Sequence, residues 1–173
     1  MVAFKYRMTA GIPGDVNRTH PASILPCLID ANLPPTLFGQ AVKVDPTTNG
    51  VTPLTATDDA LTDIFGVTVR PYPFQQQSAS NFGAAAFGPG GPYATGEIDV
   101  LRAGYIMVSI PAGQTATKGA PVYIWTAASS GAHVVGGFEA TDTSGSVAAL
   151  NPVKFFFNGP ADADGNVELG ITL

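Results

Sequence analysis

Nowhere in the 173 residues does an apolar pattern of helical period persist. Short apolar or alternating runs are instead cut, roughly every 10 to 20 residues, by clusters of glycine, proline, serine and aspartate, the punctuation of a β-sandwich or barrel. With 20 glycines and 15 prolines, about a fifth of the chain consists of the two residues that interrupt regular structure. The fold class is therefore all-β. The apolar fraction is an ordinary 45%, so a disordered chain is excluded, yet charged residues make up only 12%, about half the usual share. A folded surface so poor in charge points to one that other protein covers. The length accommodates one domain of about 150 residues with appendages.

Three zones differ in composition. Residues 1–36 carry Pro13, Pro21, Pro26, Pro34 and Pro35 among short apolar pieces such as Cys27-Leu28-Ile29. Proline removes a backbone donor and fixes φ, so this zone reads as an extended N-terminal arm, neither helix nor central strand. Residues 37–173 form the β-domain. Within it, 38–44 alternates and leads through Asn49-Gly50, a hairpin signal, towards a partner strand. Thr57-Asp58-Asp59 caps a single helical turn, and Ile64 to Val69 reads as a strand. Residues 71–96 form a long insertion without a charge until Glu97, yet bearing Tyr72, Phe74, Phe82, Phe87 and Tyr93. Such a loop reads as an adhesive segment. From 97 onward, strands are expected at Ile98–Leu101, Tyr105–Ile110, Val122–Trp125, His133–Val135, Val153–Phe157 and Val167–Leu173. Alternation along 155–157 should turn at least one phenylalanine outward.

The motifs that invite chemistry fail on spacing. Asp162 to Glu168 crowds oxygen ligands, but an EF-hand beginning at Asp162 would need Gly and Glu where Val167 and Leu173 stand; the segment reads as a turn. Gly88 to Pro92 lacks the free amides and following lysine of a phosphate loop. Asn17-Arg18-Thr19 is a glycosylation sequon without a secretory signal. His20 and His133 are the only histidines, Cys27 the only cysteine, and no Gly-x-Ser-x-Gly elbow is present. Asp58, Asp59 and Asp63 read as a capping cluster. No catalytic, cofactor-binding or metal-ligating residue is expected, so the chain is read as no enzyme and as carrying no cofactor. Eight basic residues, scattered singly against a net charge of −5, argue against nucleic acid. Without an apolar stretch of spanning or signal-peptide length, a soluble product of a cytoplasm is expected, without membrane contact.

The opening Phe4 to Arg18, the strand Phe65 to Pro71, the block Gly96 to Val108, Gly136-Gly137-Phe138-Glu139 and the closing Gly159-Pro160-Ala161-Asp162 together resemble the structural cement proteins of tailed bacteriophages. The resemblance runs over nearly the whole chain. It implies a small β-barrel or jelly-roll-like capsid decoration protein of the virion. Such a protein is made in the host cytoplasm and carried on the outer surface of the head, where it ties major capsid protein subunits together. Copies commonly associate as symmetric dimers, with trimers the other arrangement. On this reading the arm and the insertion supply the contacts, with Phe4, Tyr6, Arg7, Arg18, Phe74, Phe82 and Phe87 as anchors, because aromatic and arginine side chains dominate interface energetics. The competing functional class is a host-attachment or glycan-binding module, which would need an exposed aromatic platform such as Tyr123 and Trp125 could supply.

Overall fold

The computed structural model describes residues 11–18, 22–55, 62–71 and 91–172. Ten strands are formed there: β1 (Ser23–Leu28), β2 (Ala41–Val44), β3 (Val51–Pro53), β4 (Gly66–Thr68), β5 (Glu97–Ser109), β6 (Tyr123–Trp125), β7 (Phe138–Glu139), β8 (Val147–Ala149), β9 (Phe155–Phe157) and β10 (Asn166–Thr172). The described residues contain no helix, and the fold is all-β and antiparallel. A large sheet runs β3-β2-β4-β5-β10-β9 with β1 also on β5, and a small sheet runs β7-β6-β8.

Strand β5 is the axis of the molecule. Its first half pairs with β4 through Val100 and Leu101 and with β1 through residues 97–103; its second half pairs with β10 through residues 103–109. Because the same residues face both β4 and β1, those two strands lie on opposite edges of β5. The segment before β1 joins the sheet as well. Gly14 N–H donates to Met107 O at 2.8 Å, Met107 N–H to Asp15 O at 2.9 Å, and Val16 bridges Ile106. The described part of the arm is therefore extended and built into its own domain. Pro26 fits there for a specific reason. Ile29 N–H donates to Gly96 O, so alternate residues 25, 27 and 29 turn their main chain towards β5, while that of Pro26 turns away. The donor that proline lacks is one β5 does not need.

A parallel bridge between Ile29 and Val51 brings β3 back against the end of β1. The circuit β1-β5-β4-β2-β3 is thereby closed into a barrel-like ring around Ile29, Phe38, Val42, Val51, Ile98 and Val100. The second and larger core lies between the two sheets. There Leu101, Ile106, Val108, Phe155, Phe157, Leu169 and Ile171 of the large sheet meet Val122, Ile124, Phe138 and Leu150 on the side of the small one. Leu101 and Ile106 both face this core although five positions apart, so the alternation of β5 breaks once between them. Gly104, at φ 131°, occupies the break.

The expected hairpin is present. β2 and β3 pair across a turn in which Asp45 Oδ1 accepts the Thr47 and Thr48 amides, and Asn49 takes φ 56°. The strands expected at Ile98–Leu101 and Tyr105–Ile110 are one continuous strand. His133–Val135 is a correction: it makes only the isolated Ser130–His133 bridge and then turns, with Gly137 N–H on Val134 O and Gly136 at φ 76°. The apolar run there is consumed by a turn between β6 and β7. Asp162 Oδ1 accepts the amides of Asp164 and Asn166, the turn expected before β10. The capping residues Asp58 and Asp59 lie outside the described residues.

Candidate interaction surface

Most large apolar side chains among the described residues are buried, which makes the exceptions informative. Among the described residues Ile12, Ile24, Leu25, Leu28, Leu33, Leu37, Tyr93 and Val153 are exposed. Six of these eight lie in 11–37, and Tyr93 lies at the end of the insertion. In β1 only Cys27 is even half-buried. Scattered single leucines on a surface need no explanation, but a contiguous set on one segment marks an interaction site. The cause is topological. β1 pairs with β5, and among the described residues no other strand is packed closely over its outward face.

Register fixes what that face displays. Ile24 stands opposite Leu101, Pro26 opposite Asp99 and Leu28 opposite Glu97, and directly opposed residues share a face. Ile24, Pro26, Leu28, Glu97 and Asp99 are exposed together. Beside them is a cavity of about 200 Å³ lined by Pro26, Pro71, Pro92, Tyr93, Glu97 and Asp99, among others. Cys27 turns the other way, towards the ring core. Burial and the Asp99 carboxylate push its thiol pKa up, against a smaller opposing pull from Arg102.

Of the seven side chains singled out as anchors, Phe4, Tyr6, Arg7, Phe74, Phe82 and Phe87 lie outside the described residues. Arg18 is described, and it is engaged within its own chain. Its guanidinium makes two hydrogen bonds to Glu168, at 3.2 and 2.9 Å, and stacks 4.2 Å from the Tyr105 ring centroid. Tyr105 meets Phe156 edge to face at 6.2 Å, and Phe156 covers Gly170. Phe155 and Phe157 are buried and Phe156 is half-buried on the opposite face, as alternation requires. The arm is thus tied to the last strand through Arg18.

Burial alone would raise the Glu168 carboxyl, but hydrogen bonds from Asn158, Arg18 and Asn17 outweigh it and hold the pKa below the usual carboxylate range. A carboxylate with a depressed folded pKa stabilises the fold above its unfolded pKa of about 4.3, and that contribution is lost as pH falls through the lower, folded value. Glu168→Gln should cost about 1 kcal/mol at pH 7. Its unfolding free energy should also fall less between pH 5 and 3 than that of the wild type. Urea titrations at several pH values check this, and parallel acid profiles would refute it.

A second polar cluster is internal. Glu139, 1% exposed, receives Gln114 on one oxygen and contacts His133 Nδ1 at 2.7 Å on the other, and His133 stacks on Trp125 at 4.2 Å. Both carboxylate oxygens are occupied by structural partners. Trp125 is buried and Tyr123 half-buried, so the aromatic platform required by a glycan-binding module is not displayed there. Among the described residues no three His, Cys, Asp or Glu side chains are grouped to hold a metal.

Reasoning from sequence singled out the arm and its apolar pieces around Ile24 and Leu28, but not Glu97 and Asp99 or the face that the four share. The available signal was Pro26 within an apolar strand sequence, which identifies an edge but not the strand it pairs with.

Comparison with known proteins agrees with this architecture. A search of curated protein sequences found no significant match. In solved structures, a chain from the capsid of Myoviridae phage XM1 superposes with a TM-score of 0.68 at 19% identity, covering 98% of this chain and 95% of that one. At that identity the likeness concerns the fold. The family model for the XM1 gp53 minor capsid protein matches residues 1–171. An all-β chain matched over almost its entire length by that model belongs to the XM1 gp53 minor capsid protein family, a family of phage capsid proteins.

Proposed function

We propose that this protein decorates the exterior of the phage head and cements neighbouring major capsid protein subunits, acting mechanically and not as an enzyme. The observation that carries the reading is the concentration of exposed apolar side chains in 11–37 on an otherwise well-buried sandwich. The arm and the insertion 71–96 supply the contacts, Phe4, Tyr6, Arg7, Phe74, Phe82 and Phe87 among them, and the β-domain is a rigid spacer. Burying a standard interface of about 1,600 Å² at each joint, repeated over the shell, resists outward pressure through avidity. Pairing of copies as a symmetric dimer or trimer makes each unit a staple with more than one end.

Heads assembled without the protein should rupture at lower temperature than complete heads, and adding the purified protein should restore the difference. Complete particles should carry it at high copy number over the shell. A few copies confined to the tail, with unchanged head rupture, would contradict the proposal.

A further inference from the structure

The exposed face of the β1/β5 ribbon combines two chemistries. Ile24, Pro26 and Leu28 form an apolar strip, and Glu97 and Asp99 run alongside it as two carboxylates with no ion pair among the described residues. The adjoining cavity of about 200 Å³ is walled by Pro71, Pro92 and Tyr93 and bordered by those same carboxylates. An apolar slot with anionic groups at its margin accommodates a side chain that is aliphatic along its stem and cationic at its tip. We propose that this face docks a segment of the capsid protein that carries lysine or arginine among apolar residues. The basic side chain would enter the cavity, with its head on Glu97 and Asp99 and its methylenes against Tyr93 and Pro92. This rests on the reading of the protein as a capsid-attached component and names the chemistry of its partner.

Charge decides between occupants. A second copy docking through the same face would bring four carboxylates together on a chain whose net charge is already −5, and like charges across an interface oppose association. A basic segment from a different protein removes that repulsion and draws the partner in.

The test is co-sedimentation of the purified protein with heads lacking it, at about 50 and 300 mM salt, a range over which exposed charge pairs become screened. Three proteins are compared: wild type, the neutralised Glu97→Gln/Asp99→Asn and the reversed Glu97→Lys/Asp99→Lys. The carboxylates are exposed, so melting temperatures should match the wild type. Wild-type binding should weaken with salt. At low salt the neutralised protein should bind about tenfold more weakly, with a flatter salt response, and the reversed one more weakly still. Equal binding and equal salt dependence for all three, or tighter binding by the reversed protein, would overturn the inference while leaving capsid attachment standing. Failure of the wild type itself to bind would overturn capsid attachment and this inference with it.

Discussion

Gly66→Ala should cost about 3 kcal/mol of stability, although it adds a single methyl group. β4 is three residues long and lies between β2 of the β2/β3 hairpin and β5, paired with both. A Cβ at Gly66 would lie 2.5 Å from Val100 Cγ1 and 2.6 Å from Leu101 O. The side chain can move, but the carbonyl belongs to the central strand. Relief therefore requires β4 to lift from β5, opening both the ring core and the core between the sheets. For a chain of this size that loss corresponds to a fall of roughly 6–12 °C in Tm. Gly159→Ala is the matched control, because a Cβ there meets nothing within 4 Å, and its cost should stay under about 0.5 kcal/mol. Thermal and urea unfolding of both proteins measure the difference. Equal stabilities would mean that β4 does not sit against β5 as described.

The largest functional effect should come from Ile24→Glu/Leu28→Glu. Both side chains are exposed, 41% and 58%, so the substitution spares the core and the melting temperature should hold within a few degrees. Interface anchors contribute about 2 kcal/mol or more each when truncated. Placing charge at two of them should weaken binding to heads at least about 100-fold. Val153→Glu controls for surface charge in general. Val153 is 82% exposed but lies just before β9, which pairs with β10 and not with β1, and its substitution should leave binding unchanged. Equal losses in both variants would show a dependence on overall charge, not on the β1 face.

How far the sequence could be read depended on whether local pattern or long-range pairing decided the outcome. The β2/β3 hairpin was legible because Asn49-Gly50 and alternation around it are local signals. The turn at Asp162 was legible for the same reason, since the aspartate side chain bonds to amides within four residues of itself. The run His133-Val134-Val135 has strand-like composition, but two glycines follow it and its histidine is drawn onto Trp125 and Glu139. No local pattern announces those contacts. β7 and β8, two and three residues long, carry no periodicity to detect. At the interaction surface, the arm stood out through its prolines and apolar pieces. Its pairing with β5 did not, because residues 23–28 meet 97–103 across a long stretch of intervening chain, where no local pattern signals the partner. The acidic margin of that surface comes from β5 and became visible only with the register. Arg18 shows the opposite limit: its residue type marks an interface anchor, while its surroundings commit it to Glu168 and Tyr105.

The most direct test is a reconstruction of the phage head at side-chain resolution. The proposed function predicts this β-sandwich on the outer surface, bridging adjacent major capsid protein subunits, with Ile24, Leu28 and the rest of 11–37 buried against them. Density for the protein inside the shell or at the tail alone, or on the outer surface with 11–37 facing solvent, would contradict it.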